Sequence, residues 1–271
     1  MMTESLQRPG IAFDQLATDY DASFTATTLG KWLRSVVWER LDARFAGHGR
    51  ILEIGCGTGE DAVHLACLGH EVLATDVSRP MLAIAQEKAK RAGCAQRIEF
   101  RCISMDRLGV ELDRESFDGA FSNFGAVNCA ARLEQLVTDI AALMKPNAPL
   151  VWVVMGRHVP WEWAWFLARL DWRRAFRRLR KGGATWRGMR IQYPTPRELA
   201  QSLSPEFVPA CRRVLGLVLP PSYASHWLEH RPRTFAALAR IERAAQKWQP
   251  LAALADHYII EAHRAPANAD A

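Results

Sequence analysis

The chain is predicted to be an α/β protein built on a parallel sheet with crossover helices. Short apolar runs recur between residues 50 and 155, and stretches of helical periodicity separate them. The first run ends in a glycine-rich loop that opens a helix. The composition, 49% hydrophobic and 24% charged over 271 residues, is that of an ordinary globular chain long enough to bury a full core.

Residues 13–45 read as one long helix, with Leu29, Leu33, Val36, Val37 and Leu41 at helical spacing. Residues 50–54 are a short apolar run ending at glycines, hence a buried first strand. Residues 59–69 look helical and stop at Gly69, a residue suited to the left-handed position after a helix. Residues 72–75 are the second strand. Ser78 caps the next helix, Pro80 sits near its start, and Gly93 ends it. Residues 98–102 and 117–121 form the third and fourth strands, 130–144 a helix halted by Pro146, and 150–155 the fifth strand. Beyond Met155 the rhythm breaks. Thr195-Pro196-Arg197-Glu198 is a capping box that starts a helix. Residues 214–219 read as a sixth strand, 222–247 as helix and 257–262 as a closing seventh strand.

No run approaches the ~18 apolar residues of a membrane span. Met1–Pro9 has no apolar core of a secretory leader. Cysteines 56, 67, 94, 102, 129 and 211 form no CxxC pair and no zinc spacing, so reduced thiols in the cytoplasm are expected. The formal charge is +6 but local: nine basic residues against Asp171 give residues 169–190 a charge of +8, and the rest of the chain carries −2.

The strongest motif is Leu52-Glu53-Ile54-Gly55-Cys56-Gly57-Thr58-Gly59. Glycines let the backbone turn sharply and approach a ligand, and the helix that follows offers free N–H groups. The dinucleotide fingerprint is G-x-G-x-x-G. Here the third glycine comes one position early and Glu60 stands where that motif wants glycine. The carboxylate of Glu53 beside the loop suits a cationic ligand better than a diphosphate.

This E-x-G-x-G-x-G stretch resembles motif I of the class I S-adenosylmethionine-dependent methyltransferases, in particular the bacterial small-molecule group. Four further stretches resemble that family in order: Phe13–Asp21, Asp76-Val77-Ser78-Arg79-Pro80-Met81-Leu82, Phe117–Asn123 and Leu143–Asn147. Together they cover about residues 11–156. The resemblance implies a Rossmann-like, mostly parallel seven-stranded sheet with the last strand antiparallel, flanked by helices and carrying helical lid insertions. It implies one methyltransferase domain over 1–271, with a cofactor-binding core at 11–156 and helical substrate-side additions at 157–205 and 220–250. The implied cofactor is S-adenosyl-L-methionine. Asp76 would hold both ribose hydroxyls, Val77 would pack on the adenine, and Tyr20 would close over the site. Glu53 would act near the methionine end, and Gly55, Gly57, Gly59, Met81, Met105 and Asn123 would complete the lining. Ser104 stands where the family often has the aspartate that meets the adenine amine. It can accept that hydrogen bond without charge, or Asp106 can substitute.

Methyl transfer from a sulfonium is an in-line displacement on an activated electrophile, so the protein mainly positions the nucleophile. Asn128, after strand four, and His158, just past strand five, are the catalytic candidates, with Tyr193, Tyr223, His226 and His257 behind them. No cluster has metal-ligand spacing and no serine triad motif is present. The expected partner is a small organic acceptor, lipid-like or anionic. Two alternatives stay open: an RNA-modifying methyltransferase using the basic segment, which lacks a recognised RNA-binding module, and a non-catalytic module that keeps the cofactor fold. Placed on one helix, residues 165–181 put Arg169, Arg173, Arg174, Arg177, Arg178, Arg180 and Lys181 within one arc of about 180°, opposite Trp165, Trp172, Phe176 and Leu179. That face fits peripheral contact of 161–181 with the inner face of a membrane, substrate recognition by a lid, or plain solvation.

Overall fold

The computed structural model describes residues 9–47, 49–224 and 226–266. Nine strands appear among them: β1 Arg50–Ile54, β2 Glu71–Asp76, β3 Ile98–Cys102, β4 Gly119–Ser122, β5 Pro149–Met155, β6 Ala184–Trp186, β7 Met189–Ile191, β8 Phe207–Leu215 and β9 His257–Arg264. Seven form one sheet in the order β3-β2-β1-β4-β5-β9-β8. β1 to β5 pair in parallel, and β9 runs antiparallel to both β5 and β8. This is the Rossmann-like sheet that the motifs imply, with the last strand inverted.

Alternate strand residues feed two cores. Leu52, Leu73, Ala120, Leu150 and Trp152 pack on one face with Leu136, Ile140 and Phe207. Ile51, Val72, Phe121, Val151 and Val153 pack on the other with Leu33, Val37 and Leu41 of the helix Thr28–Arg44. Both faces of the parallel strands are covered, which is why these strands read as continuous apolar runs rather than alternating ones. The helix starts follow local chemistry. Ser78 accepts from Met81 N–H at the start of Arg79–Arg91, and Thr195 forms a reciprocal capping box with Glu198.

Four expectations need correction. The predicted helix 13–45 is interrupted: Pro9–Asp14, Ala17–Tyr20 and a π-turn Asp21–Thr25 precede Thr28–Arg44. Thr27 caps that last helix through Gly30 N–H, and Phe24 O lies 1.9 Å from where a Cβ on Gly30 would sit, so the incoming chain crosses over this start rather than continuing it. The sixth strand is Phe207–Leu215, not 214–219. At Gly216 the backbone turns to φ +79°, and the buried Glu242 carboxylate collects the N–H groups of Gly216, Leu217 and Val218 at 2.8–3.0 Å. The predicted helix 222–247 is three pieces, Ser222–Ala224, His226–Glu229 and Pro232–Ala245, with Pro232 starting the last. The single basic helix over 165–181 does not form. Pro160–Leu167 ends in a turn at Leu170, whose φ is +57°, and Asp171 caps a new short helix Trp172–Ala175. The segment 157–205 also carries the β6–β7 hairpin beside its helices.

Candidate active site

The carboxyl ends of β1, β2 and β4 open into a cavity of about 490 Å³, where open α/β sheets characteristically bind ligands. Gly55 and Cys56 donate to Thr75 O at 2.8 and 2.9 Å, which ties the glycine loop to β2. Asp76 then faces the loop: one carboxylate oxygen accepts from Gly57 N–H at 2.8 Å, the other from Ser78 N–H at 2.8 Å. Each oxygen keeps a further lone pair for a ligand. Burial pushes the Asp76 carboxyl up despite these backbone donors.

Three loop glycines do different work. A Cβ on Gly55 would lie 2.4 Å from Ala126 Cβ, and one on Gly59 2.5 Å from Ala85 Cβ. Both positions are closed by the protein itself. At Gly57 no protein atom lies within 4 Å of the same position, so the space in front of it belongs to the cavity.

Behind the loop sits a buried charged cluster. Asp61 pairs with Arg34 at 2.6 Å and accepts from Trp38 Nε1 and Asn123 Nδ2 at 2.7 and 2.9 Å. Asp61 is buried, yet Arg34 and these donors hold its carboxyl below the usual range. Arg34 also lies 5.0 Å from the ring centre of Phe124 and 5.9 Å from that of Phe24. The amide of Asn123 is thereby oriented with Nδ2 spent on Asp61 and Oδ1 left without a partner at the cavity wall. Glu53, just behind the wall, has a second unpartnered oxygen, Oε2, and burial raises its carboxyl well above the ordinary value. Asn123 Oδ1, a buried acceptor without a donor at the wall, fits the ammonium of S-adenosylmethionine, and Asp76 fits its ribose. The residues present suit that cofactor.

Of the residues singled out from the sequence, Tyr20, Gly55, Gly57, Asp76, Val77, Met81, Ser104, Met105 and Asn123 line the cavity, as does Asp106. Tyr20 is half-buried and burial raises its phenol. Glu53 and Gly59 stand behind the wall. The structure does not bring Asn128 or His158 to it. Asn128 is buried with its amide committed to backbone: Nδ2 donates to Gln192 O and Met155 O, and Oδ1 accepts from Met155 N–H. It fastens the hairpin to β5 rather than facing a reactant. His158 lies against Trp163, with ring centres 6.4 Å apart. His257 is held by Asp256 at 3.1 Å. The side chain of His226 lies outside the described residues.

Several lining residues were not expected. The N-terminal segment contributes Phe13 and Leu16, and Ser78 Oγ donates to Asp14 at 2.6 Å to hold it down. The hairpin contributes Thr185 and Trp186, and Phe13 meets Trp186 with ring centres 5.9 Å apart. Arg177 and Arg178 turn inward. Buried Glu162 receives Arg177 at 2.7 Å and Arg178 at 2.7 Å, and Asp256 receives Arg178 at 2.7 Å. Arg178 lies 5.2 Å from the ring of Tyr193. The only forewarning in the sequence was Glu162 itself, one acid in an otherwise aromatic run. Cys129 also lines the cavity, its thiol pushed up to about 12 by burial, so it is not a thiolate nucleophile.

A family model described as a methyltransferase domain matches residues 51–147. The demethylmenaquinone methyltransferase of Clavibacter sepedonicus is 30% identical over 155 residues, covering 56% of this chain; the chain spans 60% of the length of that relative. The crystal structure of the cyclase SpnF superimposes with a TM-score of 0.65 at 17% identity, covering 99% of both chains. The geranyl diphosphate C-methyltransferase of Streptomyces coelicolor, solved with S-adenosylhomocysteine, gives 0.56 at 14% identity over 85% of this chain and 78% of that one. At such identities these structures speak to fold alone. The glycine loop and the family match agree: residues 51–147 match a methyltransferase domain of the class I S-adenosylmethionine-dependent type.

Proposed function

We propose that the protein methylates a small, largely apolar organic acceptor through an ionised oxygen or carbon nucleophile of phenolic or enolic type. The observation that carries this reading is the make-up of the cavity beyond the cofactor half. Phe124, Met155, Trp186, Ile191, Tyr193 and Tyr223 supply apolar and aromatic surface, and the two charged side chains there are Arg177 and Arg178. Their carboxylate partners, Glu162 and Asp256, are not part of the wall. A guanidinium at an apolar wall favours an anion and disfavours an ammonium. An amine acceptor would enter protonated and would need a base. The tyrosines offer none, since burial raises the phenols of Tyr193 and Tyr223 and keeps them neutral. A phenol or enol, by contrast, ionises more readily beside Arg177 and needs only to be aimed.

S-Adenosylmethionine, when bound, supplies the activated methyl group. The chain holds it through Asp76, the glycine loop and Asn123, and covers it with Tyr20. Phe13, Leu16, Trp186 and Tyr223 exclude water and confine the acceptor to the far end of the cavity. That one relative is named for demethylmenaquinone makes a hydroxylated aromatic ring a sensible first probe.

The test is turnover of S-adenosylmethionine with a panel of phenols, quinols, enols and amines of matched size, plus bulk tRNA, followed by mass spectrometry of S-adenosylhomocysteine and of the methylated product. Product from phenols, quinols or enols is the expected result. Product only from amines, or only from tRNA, overturns the reading.

A further inference from the structure

We propose that the turn spanning residues 167–181 docks on the surface of an anionic lipid bilayer. The docking does not depend on which acceptor the cavity takes. The continuous amphipathic helix that would have suggested membrane contact is absent, and the structure offers a different device in its place. The helix Pro160–Leu167 stops, the chain reverses at Leu170 in the left-handed region, and the short helix Trp172–Ala175 leads away. The apex projects its apolar side chains: Leu170 is 90% exposed and Trp172 63% exposed. Leu167, Phe176 and Leu179 are also exposed, so five large apolar side chains face solvent within one short segment. Exposed hydrophobics scattered singly need no explanation, but a concentration of this kind does.

The same segment is rich in cations. Arg169, Arg173, Arg174, Arg180 and Lys181 are all exposed, and the one acid among them is Asp171. Two of the guanidiniums lie beside aromatic rings: Arg169 sits 3.5 Å from the ring centre of Trp165, and Arg173 lies 5.7 Å from that of Trp172. Arg177 and Arg178 do not belong to this exposed set, because their pairs with Glu162 and Asp256 hold them at the cavity wall.

An exposed apolar apex flanked in sequence by exposed cations is complementary to a bilayer surface, where leucine and tryptophan enter the interfacial layer and arginines meet lipid phosphates. Nucleic acid would use the same cations but has no place for an aliphatic apex. Phosphate contacts alone would leave Leu170 in water. The segment also carries Arg177 and Arg178 at the cavity wall, so docking would bring the cavity next to the lipid.

The experiment uses the full chain and sedimentation with three probes: vesicles of phosphatidylcholine mixed with phosphatidylglycerol, vesicles of phosphatidylcholine alone, and bulk tRNA. Each is run at low and at high salt. Two double variants accompany the native protein, Leu170→Glu with Trp172→Glu and Arg173→Glu with Arg174→Glu. All four positions lie outside the cavity lining, so both variants should melt and bind S-adenosylhomocysteine as the native chain does, and those measurements confirm that each is folded. The expected result is binding to the anionic vesicles at low salt, at least tenfold weaker on neutral vesicles and at high salt, and at least tenfold weaker in each folded variant. Absence of binding to anionic vesicles at low salt overturns the proposal. So does vesicle binding that both variants retain, or binding to tRNA without binding to vesicles, which would assign the patch to nucleic acid.

Discussion

Substituting alanine at two glycines of one loop separates ligand binding from folding. Gly57 and Gly59 both lie in the left-handed region, at φ +52° and +77°. An alanine there costs about 1 kcal/mol in backbone strain at either position. Beyond that they differ. At Gly59 the new methyl would lie 2.5 Å from Ala85 Cβ and 3.1 Å from its Cα, on the helix Arg79–Arg91. Neither atom belongs to a flexible side chain that could swing away, so the helix itself must shift. Overpacking of this kind adds about 1–3 kcal/mol. Gly59→Ala should therefore lower the melting temperature by roughly 5–15 °C. At Gly57 the methyl meets no protein atom and stands in the cavity. Gly57→Ala should melt only ~2–4 °C lower, yet bind S-adenosylhomocysteine at least tenfold more weakly, a loss of about 1.4 kcal/mol. Thermal melting with and without ligand, followed by titration calorimetry, reads both effects. Native affinity in Gly57→Ala would show that the loop does not face the cofactor. A native melting temperature in Gly59→Ala would refute the packing argument.

Three further outcomes follow from the site. Asp76→Ala removes an acceptor of charge-assisted hydrogen bonds and should weaken S-adenosylhomocysteine roughly ten- to hundredfold by calorimetry; in the native chain affinity should fall on acidification at a pH above the ordinary carboxylate range, because burial raises this group. Glu53 is raised well above its ordinary value, so the folded chain keeps a proton that the unfolded chain has lost, and stability falls as pH rises from the unfolded carboxyl's range toward the folded one by up to ~1.4 kcal/mol per pH unit. Glu53→Gln abolishes that loss, and denaturant titrations from acid to neutral pH should show its advantage over the native chain growing with pH; a constant difference would refute the burial argument. Arg178→Met leaves Glu162 and Asp256 facing each other in the interior without their shared cation, and should cost about 3–5 kcal/mol in denaturant unfolding.

What could be read in advance was what neighbouring residues decide among themselves. Ser78 caps its helix through a residue three positions away, Thr195 and Glu198 close a box over the same distance, and the glycine loop bends because its own residues allow it. Strands β1 to β5 were legible because burial on both faces writes itself as unbroken apolar runs. The errors lie where a distant partner decides. Residues 214–219 look like strand, but strand ends at Leu215, and the carboxylate that captures the N–H groups of Gly216, Leu217 and Val218 belongs to Glu242, more than twenty residues on. Arg177 and Arg178 look like part of a solvated face until Asp256, nearly eighty residues later, supplies the charge that draws Arg178 inward. Asn128 had the residue type and position of a catalytic group, yet both ends of its amide serve backbone from β5 and from the hairpin strand's exit. Each case has the same form. A buried polar group must find a partner, and when the partner is far along the chain the outcome overrides periodicity. The half of the cavity proposed for the cofactor is built from local loops after β1, β2 and β4, and its lining residues were readable. The half that meets the acceptor is walled by three segments brought together only by such long-range pairs, so an acceptor can be reasoned about only after the fold has placed them.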